Sequence, residues 1–176
     1  MHFIKNVAWI LKHPLLACHY HKLKGCREGD FVYHDFSYSS EYDVSRIPIG
    51  FVGYINHQRD NYAGNRIYIV GVDTYNQKLC LNDAIKDCEA YDVIGTNSHT
   101  WTLGNWKQLV RLSENSDKLA QCLQNFTKQD VLENMFWTTS EDRKMRSYYA
   151  AVRLKDGFIY QYNERYKTYF LRLLIL

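Results

Sequence analysis

The chain has only two prolines and nine glycines in 176 residues. That leaves no linker-like stretch, and neither a low-complexity tract nor an internal repeat is present. Two full domains would be cramped, and the length suits one domain with a real core. No run approaches the roughly 20 apolar residues of a membrane helix. The opening MHFIKNVAWILKHPLLA begins like a signal peptide. Lys12 and His13 interrupt its apolar run, however, Pro14 follows, and no cleavage site comes next. It reads as a short amphipathic helix with Ile4, Val7, Ala8 and Leu11 on one face, ended by Pro14. A nucleophile elbow, a phosphate loop and a metalloprotease helix are also missing.

Residues 1–27 lack any acid, yet hold Lys5, Lys12, Lys22, Lys24, Arg27 and four histidines. The whole chain is only +3, so this segment is a basic arm and the rest is near neutral. Such an arm suits nucleic acid, an acidic partner or a lipid surface; a solvated helix face is the plainer reading. Five cysteines, Cys18, Cys26, Cys80, Cys88 and Cys122, make no disulfide framework at this length and point to a reduced protein assembled in the cytoplasm. Cys80 and Cys88 stand eight apart, a spacing that does not favour a bridge along one helix. Cys18, His19, His21 and Cys26, with His13 nearby, are ligand types for zinc. Their spacing matches no common two-pair pattern, so no metal is expected.

What the chain has in quantity is aromatics: 15 tyrosines, 8 phenylalanines and 4 tryptophans. Tyrosine fits half-buried strand positions and also binding surfaces. From residue 29 onward the pattern predicts strands at Phe31–Tyr33, Ile49–Ile55 and Arg66–Val72, the last two joined as a hairpin across 57–65. A helix capped by Asn82 or Asp83 follows, with Ala84, Ile85, Cys88 and Tyr91 inward. Gly95–Ser98 is a turn and Trp101–Leu103 is extended. Gly104-Asn105 introduces a helix with Trp106, Leu109, Val110 and Leu112 as its apolar stripe. Ser116 or Asp117 opens another through Leu119, Cys122, Leu123 and Phe126. Tyr148–Leu154 and Phe158–Tyr162 form a hairpin around Lys155-Asp156-Gly157, and Tyr169–Ile175 is a closing strand. The expected fold class is α+β, mostly antiparallel, with two or three helices behind a basic helical arm; residues 1–28 form the arm and 29–176 the domain.

No catalytic constellation emerges. Asp83, Asp87 and Glu89 lie close in sequence, but on a helix that spacing points them mostly at solvent. Trp137-Thr138-Thr139-Ser140-Glu141 reads as a turn and a cap. Basic residues interleaved with aromatics are the better candidates. Arg143, Arg146, Tyr148, Tyr162 and Tyr166 are the candidate ligand contacts, with Tyr160 on the same strand face as Tyr162. Lys5, Trp9, Lys12, Lys22, Lys24 and Arg27 are the candidate contacts for a protein partner.

Several stretches together resemble a family. Gly29-Asp30-Phe31-Val32-Tyr33-His34-Asp35 is similar to the opening G-D-x-x-Y-x-D of a lectin-like domain common in surface proteins of gut bacteria and in their phages. Ile49-Gly50-Phe51-Val52 resembles its I-G-V-V. A strand and an Ala-containing helix follow in that family, then W-R-L-P-S-x-x-E-L, which resembles Trp101 to Leu109. Phe136 to Glu141 resembles Y-W-S-S-T-E, Ala150 to Gly157 the stretch ending in D-G, and Phe170-Leu171-Arg172-Leu173 the closing V-R-P-V. The resemblance spans about residues 29–173 and implies a C-type-lectin-like fold, related to the formylglycine-generating-enzyme scaffold. Gly104-Asn105 stands where the family has Pro-Ser, so an altered helix entry is expected, and the terminal proline is missing. No calcium-dependent sugar motif of the Glu-Pro-Asn or Trp-Asn-Asp kind occurs, and the reactive cysteine pair of the oxidase relatives has no counterpart.

The expected function is a non-enzymatic structural or binding module without a cofactor. The first expectation is a phage head, tail or fibre component that docks through its arm onto protein partners, self-association included. The alternative is a cell-surface adhesin binding a receptor or glycan; nucleic-acid binding through the arm is a further one. Location on a virion or cell surface goes with these expectations.

Overall fold

In the computed structural model the described residues are 19, 21–56, 66–72, 77–93, 96 and 100–176. The expected amphipathic helix with Lys5, Trp9 and Lys12, then Cys18, the 57–65 loop and most of the Gly95–Ser98 turn lie outside them. The described chain is mixed α+β, its sheets antiparallel, with three helices. Strands β1 (Phe31–Tyr33), β2 (Tyr38–Ser39), β3 (Pro48–Asn56) and β4 (Arg66–Gly71) come first. Helix α1 (Leu81–Ala90), strand β5 (Trp101–Thr102), and helices α2 (Trp106–Ser113) and α3 (Ser116–Leu123) follow. Strands β6 (Met135–Glu141), β7 (Tyr148–Arg153), β8 (Ile159–Asn163) and β9 (Leu173–Ile175) complete the order.

Six strands form the large sheet, in the order β2-β1-β3-β4-β9-β5. Its strands read as near-continuous apolar runs because both of its faces are covered. Phe31, Tyr33, Phe51 and Val70 face a core shared with Leu109 and Leu112 of α2, Leu119 and Cys122 of α3, and Phe136 and Val152 of the small sheet. Val32, Ile49, Val52, Ile69 and Leu174 face the other way, onto Leu23, Cys26 and Phe36. Leu23 is fully buried, so the described part of the basic segment is packed against the sheet. The boundary expected after residue 28 thus falls within a packed stretch. Glu28 ties it further: its carboxylate accepts from the Ile55 amide (3.1 Å) and from Asn115 Nδ2 (2.9 Å).

Gly53 shows why the helices can come so close. The β3–β4 register shifts between Val52 and Tyr54, and a Cβ at Gly53 would lie 2.6 Å from Leu112 Cδ2 and 2.7 Å from Val70 Cγ2. A glycine at this irregularity lets α2 settle directly on the strand.

Several local expectations need correction. Helix α1 starts at Leu81 with Cys80 as its N-cap, and neither Asn82 nor Asp83 caps it. The buried Leu81 donates its amide to the Glu164 carbonyl (3.0 Å), so a neighbouring loop serves the helix end and no side-chain cap is needed. Tyr91 falls just past that helix. Trp106 leaves the apolar stripe of α2: it is 39% exposed, at the first helical position. Trp137 to Glu141 is strand β6, where a turn and cap were expected. The closing strand is shorter than Tyr169–Ile175, beginning only at Leu173.

Candidate binding surface

The small sheet has the order β6-β7-β8. Two cross-strand rungs describe it. Phe136 lies opposite Val152, which lies opposite Ile159. On the other face Trp137, Ala151 and Tyr160 form the next rung. Phe136, Val152, Trp137 and Ala151 are all 0% exposed, but Ile159 is 38% and Tyr160 51% exposed. Burial is complete at β6 and β7 and ends at β8. The cause is coverage: Trp137 and Ala151 pack under Leu81, Ala84 and Cys88 of α1, and the Trp137 indole donates to the Leu79 carbonyl (2.9 Å).

On the open side the tyrosines stack. Tyr162 and Tyr166 rings lie 4.4 Å apart at 4°, and Tyr160 sits 4.8 Å from Tyr162. Trp137 meets Tyr162 edge-on at 6.0 Å, anchoring the stack to the core. Burial, with Tyr166 and Tyr160 nearby, pushes the Tyr162 phenol up from its ordinary value. Tyr166 is 52% exposed. Phe158, just before β8 and also exposed, lies under the Arg153 guanidinium (5.2 Å).

Of the ligand contacts expected from sequence, Tyr162 and Tyr166 are therefore brought together. Tyr148 is not with them: it pairs with Asn163, one residue out of phase with the Tyr149–Tyr162 pair, so it lies on the opposite face. Arg143 and Arg146 are exposed in the β6–β7 connection. That connection reaches the same end of the sheet, since Ser147 accepts from the Glu164 amide (2.8 Å). Among the partner-docking candidates, Lys22 donates to the Asp35 carbonyl (2.9 Å), and Lys24 and Arg27 are exposed on the packed segment. Phe158 and Ile159 were missed. Their signal was a strand whose apolar residues do not alternate, right after a good turn.

The residues that carry the family resemblance do other work. Asn105 caps α2 in a reciprocal box with Gln108: its side chain accepts from the Gln108 amide (3.1 Å), and Gln108 Oε1 accepts from the Asn105 amide (2.7 Å). Trp106 N donates to Ser140 Oγ (3.1 Å), and Thr139 N donates to the Gly104 carbonyl (3.0 Å). The start of α2 and strand β6 are thus fastened together. Thr138 Oγ1 donates to the Ala150 carbonyl (2.8 Å) where the β6–β7 register shifts. Arg172, 8% exposed, donates to Asp87 through Nε (3.0 Å) and Nη2 and lies over the Tyr91 ring (4.1 Å). Asp87 therefore ties α1 to the C-terminal segment rather than facing solvent as expected.

Burial, with Asp30 adding, pushes the Cys26 thiol up to about 11; burial also raises Cys88 to about 12 and Cys122 to about 11. Thiols so placed are poor nucleophiles. All four described cysteines are free. A depression beside α3 is lined by Asp117, Gln124, Lys128, Asp130 and Lys155, with Ser116, Thr127, Gln129 and four apolar residues around them. No protein-family model matches the chain, and no curated protein matches it.

Proposed function

We propose that this chain is a non-catalytic structural and binding module of C-type-lectin-like fold. It serves as part of a larger protein assembly, of the phage head, tail or fibre kind, on a virion or cell surface. The observation that carries the reading is the open aromatic edge: Phe158, Tyr160 and Tyr166 are exposed around β8, the two tyrosines anchored through Tyr162 to a buried tryptophan, and Ile159 is exposed on the opposite face. Rigid aromatics at an uncovered edge are contact residues for a protein partner.

The lectin-like reading is supported by chemistry as well as by motif order. Where the family has Ser-x-x-Glu at the start of its second helix, this chain has Asn105-x-x-Gln108. Asn105 and Gln108 make a capping box here, the arrangement that a Ser-x-x-Glu sequence favours. The altered helix entry expected from Gly104-Asn105 is therefore not found: Asn105 caps α2 in the ordinary way. The basic segment adds Lys22, Lys24 and Arg27 as exposed charges, and Lys5, Trp9 and Lys12 remain docking candidates.

An antibody to the chain should find it in purified extracellular particles of the cells that produce it. Tyr160→Ala with Tyr166→Ala should remove it from those particles while leaving its thermal melt unchanged. A chain confined to the soluble lysate overturns the reading. Binding on a glycan array, lost in the same double variant, would establish the adhesin alternative in its place.

A further inference from the structure

We propose that a second copy of this chain pairs antiparallel with the free edge of β8, about a two-fold axis at Gln161, so that two three-stranded sheets become one continuous sheet. This rests on the reading of β8 as a contact surface and names its occupant.

The backbone makes the first argument. Arg153 N donates to the Phe158 carbonyl, and Glu164 N to the Ser147 carbonyl. In an antiparallel pair the bonded residues alternate. Residues 158, 160, 162 and 164 therefore bond to β7, and Ile159, Gln161 and Asn163 turn their amides outward. The opposite edge of this sheet is closed, because Trp137 N donates to the Tyr169 carbonyl and Thr139 N to the Gly104 carbonyl. Only the Asn163 carbonyl of the outward set has a bond within the chain, from Tyr166 N (2.8 Å), among the described residues.

Composition makes the second. Ile159 and Tyr160 lie on opposite faces, and both are exposed. A natural edge is usually blunted by charge, proline or shortness. Here Ile159-Tyr160-Gln161-Tyr162-Asn163 carries no charge and no proline.

The third is self-complementarity. A two-fold at Gln161 sets Tyr160 against the second copy's Tyr162 and Gln161 against Gln161. Aromatic pairs directly across antiparallel strands stabilise a sheet. The same register sets Asp156, before β8, opposite the second copy's Tyr166, one position from its Arg165. It also brings Arg153, across from Phe158, towards the second copy's Glu164. Symmetry repeats each pairing of opposite charges at the other end, as an isologous interface requires.

Sedimentation velocity on the full chain should show a concentration-dependent dimer. Ile159→Lys should abolish it while the melt is retained. Gln161→Cys should form an intermolecular disulfide under mild oxidation. Cα atoms of a bonded antiparallel pair lie about 5.5 Å apart, within the roughly 4.4–6.8 Å that a disulfide spans. Ile159→Cys alone should not link to itself, but should link when mixed with Asn163→Cys; the unchanged chain gives the background from its native thiols. A monomer at every concentration overturns the proposal, as does a dimer that survives Ile159→Lys and leaves Gln161→Cys unlinked. A monomer still found in particles sinks this inference alone. A dimer absent from particles sinks the assembly reading alone.

Discussion

The two sheets end differently. The large sheet terminates in β2 and β5, Tyr38–Ser39 and Trp101–Thr102, each of two residues. Edges this short offer little to a foreign strand. The small sheet terminates on one side in β6, whose outward amides are taken by Tyr169 and Gly104. On the other it ends in the five-residue β8, uncovered and aromatic. Among the described residues the large sheet thus ends in short edges, whereas the small sheet keeps one open edge at β8. The stretches that resemble the family's motifs lie away from that edge.

The sharpest way to break this contrast is to remove one aromatic from each end of the same rung. Trp137→Ala should cost about 3–5 kcal/mol, the usual range for truncating a buried tryptophan. That is a large part of the roughly 5–15 kcal/mol by which domains are stable. Tyr160→Ala, at the open end, should stay within about 0.5 kcal/mol, as an exposed substitution does. Urea unfolding midpoints measure both. Equal losses would mean that β8 is as much core as β6, and the contact reading of its tyrosines would fall.

A second prediction sharpens the architectural side. Asn105→Ala should destabilise the chain by about 1 kcal/mol, the typical value of a lost cap, while Asn105→Ser should stay close to the parent. Chemical denaturation of the three proteins decides it. If serine fails as alanine does, the likeness between Asn105-x-x-Gln108 and Ser-x-x-Glu is one of letters and not of chemistry.

Asn105 also shows what could be read from sequence. The start of α2 at Gly104-Asn105 was legible because such signals are local, whereas the reciprocal cap with Gln108 was not read there. The strands 31–33, 49–55 and 66–72 were legible for a similar reason: continuous β-branched and aromatic runs bounded by turns. Long-range tethers were not. Nothing around Asp87 signals that Arg172, 85 positions later, claims its carboxylate. The start of α1 depends on the carbonyl of Glu164, equally remote. The site was half legible. Tyr162 and Tyr166 were singled out by composition and do stack, but period-two reasoning could not tell that α1 covers one end of their sheet face and leaves the other bare. Tyr148 was grouped with them because sequence proximity carries no face information until the register is known.

The smallest predicted effect concerns the turn that holds β8 in register. Asp156 accepts from Arg153 Nε (2.9 Å) and Nη2 (2.5 Å), and from the Phe158 amide (3.1 Å). The Arg153 hydrogen bonds, and after them the Phe158 amide, hold its carboxyl down from 3.8 to about 2. A carboxylate with a depressed folded-state pKa lends stability that is complete above its unfolded value and is lost as pH falls through its folded value. The turn should therefore loosen as pH drops from about 3.8 towards about 2. Amide exchange at Phe158, measured against its intrinsic rate, should quicken over that interval. Asp156→Asn should exchange faster from the outset and lose the pH step at Phe158. Asp35 and Asp43 are also held below their usual range, so a global melt would mix their contributions, whereas the Phe158 amide reports on this turn. A step that persists unchanged in Asp156→Asn would show that β8 is held in register by its pairing with β7 alone. The free edge would then keep its geometry independently of the charged turn beside it.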